Sequence, residues 1–188
     1  MKIAAISDIH GNIYALMKTL EDIDEQRVDK IICLGDLVGY GPHPNEVIAL
    51  IKRREIPCIR GNYDASVVDG DFTFIRNTAI NSFALPWTCE EVRVSNKYYL
   101  ASLPTSLKYT FNGVNILFTH GSPNAINEYL FEDAENTKKV MTEYEGDVLV
   151  CAHTHIPFTK KFNNKTLINV GSVGKPKIGK PNPTYTII

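Results

Sequence analysis

The chain has 188 residues and a formal net charge of −1, which fits one domain with a sizeable core, residues 1–188. This near-neutral balance gives no basic footprint for nucleic acid or a membrane surface. No apolar stretch approaches the length of a membrane span. The chain enters a strand at Lys2 without the basic and apolar regions of a secretory signal, so we expect a cytoplasmic protein.

The first third of the chain predicts alternating strands and helices. Short apolar runs predict buried strands at 2–7, 31–34 and 56–59, and helical periodicity predicts helices over 12–24 and 44–54. This β-α-β-α-β order is typical of a layered α/β domain with right-handed crossovers.

The middle of the chain predicts a small helical insertion, at about residues 72–104. Helices are predicted over 73–85 and 89–103, with a break at Pro86 and an end at Pro104. The aromatic side chains here are expected to pack as a satellite core or to line a cleft. They are Phe72, Phe74, Phe83, Trp87, Tyr98 and Tyr99.

The last part of the chain predicts mainly strands. A type I′ hairpin is indicated by Asn112-Gly113, and a second hairpin by Asn163-Asn164. The predicted strands are 106–111, 114–119, 147–152, 158–162, 166–170 and 184–188, with one helix at 134–144. The predicted fold class is therefore α/β (α+β in some schemes), a two-sheet β-sandwich flanked by helices.

The four cysteines show no Cys-x-x-Cys pair. Cys33, Cys58 and Cys151 fall inside predicted strands, while Cys89 falls in a predicted helix. We interpret them as small buried hydrophobic residues in a reducing compartment rather than as disulfides or zinc ligands.

Side chains that bind divalent metals follow five of the predicted strands directly. Loops at the carboxyl ends of strands are where α/β folds assemble their sites, and four of the five histidines lie there. Seven oxygen and imidazole donors are more than one ion needs, so the pattern predicts a two-metal site. The donors are Asp8, His10, Asp36, Asn62, His120, His153 and His155.

Each of these motifs is weak evidence when taken alone. A lone histidine is usually a hydrogen-bonded structural residue, and Gly-Asp and Gly-Asn are ordinary turn dipeptides. The His153-Thr154-His155 motif is more specific, because adjacent imidazoles on one face repel each other when charged. The ordered combination is what favours a metal site.

As a set, the motifs resemble the five blocks of the calcineurin-like metallophosphoesterases. The resemblance extends to Asp36-Leu-Val-Gly-Tyr-Gly-Pro, to Asn169-Val-Gly-Ser-Val-Gly and to the order of elements, so it covers nearly the whole chain. Within this family, the chain most resembles the small prokaryotic phosphodiesterase branch with a helical insertion. The blocks are Asp8-Ile9-His10, Gly35-Asp36, Gly61-Asn62-Tyr63-Asp64, His120-Gly121 and Ala152-His153-Thr154-His155.

The resemblance implies two divalent transition-metal ions (Mn, Fe, Zn, Ni or Co). It implies that a hydroxide bridging the ions attacks a phosphodiester or another small phosphate ester, with nucleotides among the candidates. A homo-oligomer is compatible with it. The first ion would be held by Asp8, His10, Asp36 and His155, and the second by Asp36, Asn62, His120 and His153.

One position departs from the family pattern. Tyr63 stands where the family usually has a histidine that helps protonate the leaving group, and a phenol is a poorer proton donor at neutral pH. Either Tyr63 donates a hydrogen bond in catalysis, or it only packs over the cleft. Asp64 and the loop residue His43 are further catalytic candidates, although His43 is also a typical surface histidine. The alternative function is a non-catalytic metal-binding or scaffold protein that keeps the fold.

Two features near the C-terminus are not assigned to substrate. The basic run 175–180 is interpreted as a solvated face. The segment Gly171-Ser-Val-Gly-Lys175 lacks the spacing of a phosphate-binding P-loop. The resemblance instead implies a turn behind the metal rim.

Overall fold

A computed structural model describes residues 1–73 and 75–188 of the protein. The strands are β1 Ile3–Ile6, β2 Lys30–Cys33, β3 Ser106–Phe111, β4 Val114–Thr119, β5 Val148–Cys151, β6 Phe158–Phe162, β7 Lys165–Asn169 and β8 Thr186–Ile187. The helices are α1 Ile13–Glu25, α2 Pro44–Arg53, α3 Asn62–Asp69, α4 Ala79–Glu91, α5 Val94–Ser102 and α6 Glu135–Glu143. No helix in this part of the chain has both the length and the apolar character to cross a bilayer.

The strands form two mixed sheets, in the orders β2-β1-β8 and β3-β4-β5-β7-β6. In the first sheet β1 is parallel to β2 and antiparallel to β8. In the second sheet β4, β5 and β7 are parallel, while the hairpins of β3 with β4 and of β6 with β7 are antiparallel. The prediction of an α/β fold with two facing sheets is confirmed.

Alternation along the strands explains why the sheets stack in layers. In β1, Ile3 and Ala5 face the core between the two sheets, while Ala4 and Ile6 face the core under α1 and α2. In β5, Val150 faces the core between the sheets and the residues beside it face a third core under α6. Successive side chains of a strand point to opposite faces, so apolar runs like these are buried on both sides.

The parallel pairs determine where the site lies. Since β1 and β2 run in the same direction, Asp8 and Asp36 emerge at the same edge of the first sheet. In the second sheet β4 and β5 likewise bring His120 and His153 to one edge. The two edges meet, because the His153 N–H donates to Asp8 Oδ2 at 3.2 Å and His120 Nδ1 lies 2.8 Å from the Leu34 carbonyl oxygen.

The prediction of a third strand at 56–59 is wrong. Only one bridge forms there, between Cys33 and Cys58. The ladder cannot extend because Ile56 donates its N–H to the end of α2, Pro57 has no N–H, and Arg60 donates to the Pro104 carbonyl at 2.8 Å. The segment therefore lies beside β2 without becoming a full member of the sheet.

The helices of the insertion also differ from the prediction. The helix expected over 73–85 begins at Ala79, because Thr78 accepts a hydrogen bond from the Asn81 N–H at 3.2 Å and caps it. Pro86 lies inside α4, and the break comes at Val92. Burial of the α4 side chains around Pro86 offsets the one backbone bond that a proline removes.

The predicted satellite core of aromatic residues is wrong for three of its five described members, whereas Trp87 is half-buried. Phe83 and Tyr98 are 76% and 71% exposed, and Phe72 is 37% exposed. Tyr99 packs against the core under α1 and α2. Phe74 lies outside the described residues.

Candidate metal centre

The predicted donors converge at the meeting edges of the two sheets and form two groups. Within each group the donor atoms all lie within 4.8 Å of one another, and every member is buried. The first group is Asp8, His10 and His155, and the second is Asp36, His120 and His153. Asn62 joins the second group, since its Oδ1 lies 2.9 Å from His120 Nε2.

Each of the two carboxylates uses one oxygen for structure and leaves the other free. Asp8 Oδ2 accepts from the His153 N–H, and Asp36 Oδ1 accepts from the Tyr63 N–H at 2.8 Å. Asp8 Oδ1 and Asp36 Oδ2 are buried and have no hydrogen-bond partner in the described part of the chain. A buried charged oxygen without a partner is costly, so these two atoms indicate a cation.

The free oxygens face imidazole nitrogens. Asp8 Oδ1 lies 3.3 Å from His155 Nε2 and 3.6 Å from His10 Nε2. Asp36 Oδ2 lies 3.4 Å from His120 Nε2 and 3.7 Å from His10 Nε2, so this one atom reaches both groups.

Backbone carbonyls orient three of the imidazoles. His10 Nδ1 lies 3.0 Å from the Val38 carbonyl oxygen, and His120 Nδ1 lies 2.8 Å from that of Leu34. His155 Nδ1 lies 2.6 Å from the Lys175 carbonyl oxygen. A carbonyl bound at Nδ1 fixes the ring and turns Nε2 toward the site, as in many metal-binding histidines.

The buried histidines of the site differ in their pKa values. Burial lowers the pKa of both His153 and His155 to about 4, with repulsion from His120 adding to the effect on His153, so both are neutral and free to bind a metal. Burial would also lower the pKa of His120, but the Asp36 carboxylate outweighs it and raises this pKa to about 10. The proton on His120 therefore stands where a metal cation would supply the same positive charge.

The backbone at the site is unusual. The φ angles of Asp8, His10, Asp36, His153 and His155 lie between 49° and 65°, in the left-handed region. Residues other than glycine seldom adopt this region, and such strain concentrates at functional sites. Five of the seven predicted donors thus have a left-handed backbone conformation. The fold holds these five residues in a conformation that their own backbone preference disfavours.

Asp64 lies beneath the site rather than in it. Its carboxylate is fully buried and accepts backbone N–H bonds from Asp36, Leu37 and Gly61 at 2.8, 2.9 and 3.0 Å. Burial, together with the Asp36 charge, raises the pKa of Asp64 to about 7. We therefore regard Asp64 as a residue that positions Asp36 rather than as one that contacts substrate.

Tyr63 lines the cavity above the donors, and its hydroxyl is already engaged. The hydroxyl donates to Asn81 Oδ1 at 3.0 Å and shares a further hydrogen bond with the Tyr40 hydroxyl. The ring packs edge-on against His10, with the centroids 4.9 Å apart. Burial and the Tyr40 hydroxyl raise the pKa of Tyr63, which disfavours loss of its proton.

The cavity above the donors measures about 220 Å³, and its lining contains residues that the sequence did not single out. His43 is not among them, and it packs edge-on against Tyr14 instead. The aromatic side chains of the predicted insertion do not line it either, within the part of the chain that the structure describes. The lining residues are Tyr40, Asn62, Tyr63, Ile75, Arg76, Thr78, Ile80, Asn81, Tyr129, His153, His155, Lys175 and Lys177.

The turn at 171–175 hydrogen-bonds directly to the backbone of the donor Asp8. The Ser172 hydroxyl donates to the Asp8 carbonyl at 2.8 Å, and the Gly174 N–H donates to the same carbonyl at 2.9 Å. A side chain at Gly174 would meet the Ile9 carbonyl oxygen at 1.8 Å, so only glycine fits there. The basic run 175–180 is interpreted as a solvated face, and Lys177 is indeed exposed, but Lys175 and Lys177 also line the cavity.

Comparison with known proteins agrees with this geometry. The profile of the calcineurin-like phosphoesterase superfamily domain matches residues 1–188. An uncharacterized protein of Methanocaldococcus jannaschii is 35% identical over 202 residues, which cover 98% of this chain and 81% of that protein. The phosphodiesterase YfcE of Escherichia coli is 27% identical, over 96% of this chain and 84% of its own.

A solved structure shows the same fold. The crystal structure of a metallophosphoesterase from Sphaerobacter thermophilus superposes with a TM-score of 0.82 at 29% identity, covering 100% of this chain and 83% of that one. The chain thus belongs to the calcineurin-like phosphoesterase superfamily, in its small prokaryotic branch, and is a metal-dependent phosphoric ester hydrolase.

Proposed function

We propose that the protein is a dinuclear phosphoesterase that hydrolyses phosphodiesters or other small phosphate esters. The observation that carries the proposal is the position of Asp36 Oδ2, which faces an imidazole of each donor group and has no hydrogen-bond partner among the described residues. Asp36 would bridge the two ions. The first ion would bind Asp8, His10 and His155 besides Asp36, and the second would bind Asn62, His120 and His153.

The chemistry of the donors supports a pair of divalent transition-metal ions. Mixed imidazole and carboxylate ligands suit Mn, Fe, Zn, Ni and Co alike. Two carboxylate oxygens and His153 Nε2 lie buried in the same site without a hydrogen-bond partner in residues 1–73 and 75–188. Bound cations would satisfy all three atoms at once.

When bound, two such ions polarise phosphoryl oxygens and lower the pKa of a coordinated water. The protein's own part is to hold the donors rigidly and to exclude water around them. His10, His120 and His155 are fixed by backbone carbonyls, and Asn62 adds a neutral oxygen beside His120.

Tyr63 is a poor source of the proton that a leaving alcohol needs. Its pKa is raised by burial, and its hydroxyl hydrogen already lies on Asn81. Esters whose leaving groups depart without protonation should therefore react best.

Metal content and hydrolysis together test the proposal. Protein loaded with Mn, Ni or Co should retain two ions per chain after dialysis and hydrolyse bis-p-nitrophenyl phosphate. Asp36→Asn should lose metal and reduce kcat by more than about 100-fold, since even outer-shell partners of a metal contribute about 10–100-fold.

The control variant is Asp147→Asn. Asp147 also accepts a backbone N–H, that of Asn115 at 2.8 Å, but it lies outside the donor groups. It should keep both ions and its activity. Full activity in Asp36→Asn, or no hydrolysis of any ester by the metal-loaded wild type, would contradict the proposal.

A further inference from the structure

The mouth of the cavity above the donors carries three cationic side chains. Arg76 comes from the segment before α4, while Lys175 and Lys177 follow β7 and the turn that supports Asp8. They share the cavity with His153 and His155, so a ligand on the donor groups would lie beside all three. We call Arg76, Lys175 and Lys177 the cationic rim.

The cationic rim has no counter-ion of its own. Within residues 1–73 and 75–188, no ion pair forms to any of its three side chains. Other basic side chains do pair, for example Lys160 with Asp133 at 2.5 Å. Lys175 Nζ lies 3.5 Å from the centre of the Tyr40 ring, so a π face is its nearest substitute for an anion.

The three like charges of the cationic rim repel one another. Arg76, Lys175 and Lys177 all line the same cavity. Like charges that are held together without a carboxylate between them are expected where a negatively charged ligand binds.

With two divalent ions bound, the scissile phosphate does not need the cationic rim for charge balance. Two divalent ions carry four positive charges, and the carboxylates of Asp8 and Asp36 remove two of them. The hydroxide nucleophile removes a third, so the one remaining charge already balances the single negative charge of a phosphodiester. The three rim cations are therefore in excess of what the scissile group requires.

We infer that the cationic rim binds a second phosphoryl group of the substrate, so that the preferred substrates are small organic phosphates with at least two phosphoryl groups. This inference rests on the proposed function, because it places the scissile phosphoryl group on the donor groups. The cavity of about 220 Å³ and the formal net charge of −1 favour a small molecule of this class over a nucleic-acid chain.

Binding of non-hydrolysable probes tests the inference without relying on turnover. Manganese-loaded protein is titrated calorimetrically with methylenediphosphonate and with methylphosphonate, and its metal content is measured before and after. We expect the Kd for the diphosphonate to be lower by about tenfold or more, and this preference to shrink as salt screens the rim.

The double variant Arg76→Gln/Lys177→Gln should reduce the preference for the diphosphonate to about twofold or less. The matched control is Lys161→Gln, an exposed lysine on β6 outside the cavity, which should keep both the preference and the activity. An equal preference in wild type and double variant would overturn the inference.

Hydrolysis of bis-p-nitrophenyl phosphate by wild type separates this outcome from failure of the proposed function. Metal-dependent hydrolysis without a diphosphonate preference would leave the phosphoesterase assignment standing and remove the rim as a subsite. A rim-dependent preference in a protein that hydrolyses no ester would support the subsite and contradict the proposed function.

Discussion

The carboxylate of Asp64 accepts a hydrogen bond from the backbone N–H of Asp36 at 2.8 Å. The same side chain accepts from Leu37 at 2.9 Å and from Gly61 at 3.0 Å, so it ties the loop after β2 to the start of α3. Asp36 is thus held from below by Asp64 while its Oδ2 faces the imidazoles. The position of the proposed bridging ligand depends on a residue outside the cavity.

Asp64→Asn should destabilise the metal-free protein. An amide can accept through only one atom, and its NH₂ group would face backbone N–H donors that need an acceptor. Buried donors left unsatisfied cost about 1–3 kcal/mol each, so we expect the free energy of unfolding to fall by about 2–3 kcal/mol. Urea denaturation in EDTA measures this change.

The control for Asp64→Asn is Asp69→Asn, an exposed carboxylate on the same helix α3. It should leave the free energy of unfolding within about 0.5 kcal/mol of wild type. If the two variants were equally stable, the backbone bonds to Asp64 would not have the structural role assigned to them.

Gly61→Ala should displace Asp36, although the φ and ψ of residue 61 itself suit alanine. The φ and ψ of Gly61 are −88° and 173°, which alanine adopts freely. An added Cβ would lie 2.2 Å from Asp36 Oδ1 and 2.3 Å from the Asp36 backbone nitrogen, however, so both the carboxylate and the backbone of Asp36 must move. We expect a loss of bound metal, measured by elemental analysis, and a parallel loss of kcat/KM.

The contrasting variant is Gly70→Ala, at the left-handed end of α3. Its φ is 66°, and no atom lies within 4 Å of the added Cβ. It should cost about 1–2 kcal/mol of stability but retain full metal content. A Gly61→Ala protein with the metal content of wild type would show that Asp36 tolerates displacement.

The grouping of the donors could be predicted from the sequence because it depends on short-range pattern. Apolar runs predict strands, and the carboxyl ends of parallel strands share an edge. Asp8 and Asp36 follow β1 and β2, which are parallel, and His120 and His153 follow β4 and β5, which are also parallel. Periodicity and strand order were therefore enough to bring these four residues together.

The cationic rim could not be predicted, because its residues are placed by tertiary contacts. Arg76 belongs to a segment without periodicity, whose carbonyl accepts from Asn81 Nδ2 at 2.8 Å. Lys175 is placed by the turn behind Asp8. The short helix α3 was also missed, because Gly61-Asn62 is an ordinary turn dipeptide and the bond from the Gly61 N–H to Asp64 Oδ2 at 3.0 Å is visible only in the structure.

Removal of metal should lower thermal stability. The buried oxygens Asp8 Oδ1 and Asp36 Oδ2 have no partner in the described part of the chain, so a bound cation stabilises only the folded state. Metal at about 100 times its Kd adds about 2.7 kcal/mol. For a chain of this size we expect EDTA to lower Tm by about 5–10 °C.

Thermal melts with EDTA and with excess manganese measure this shift, and Asp36→Asn provides the comparison. Its shift should be smaller, because the variant lacks the carboxylate that faces both groups. Equal Tm values with and without metal in wild type would argue against a cation at these oxygens.

Tyr63→Phe separates a positioning role of Tyr63 from a catalytic one. The ring stays against His10, while the hydrogen bonds to Asn81 and Tyr40 are lost. We expect kcat/KM to fall by about fivefold, as for one hydrogen bond of about 1 kcal/mol, and by the same factor for p-nitrophenyl, phenyl and methyl esters. Steady-state kinetics across this series measures the dependence on leaving-group pKa.

The opposite pattern would identify Tyr63 as the proton donor, since the loss would then grow as the leaving group becomes more basic. Tyr14→Phe is the matched control, because Tyr14 is 69% exposed and does not line the cavity, and it should leave kcat/KM unchanged.

Tyr63→His tests whether a better proton donor at this position speeds up the reaction of poor leaving groups. An imidazole with a pKa near 6.5 donates a proton more readily at neutral pH, so this variant should accelerate methyl and phenyl esters more than p-nitrophenyl esters.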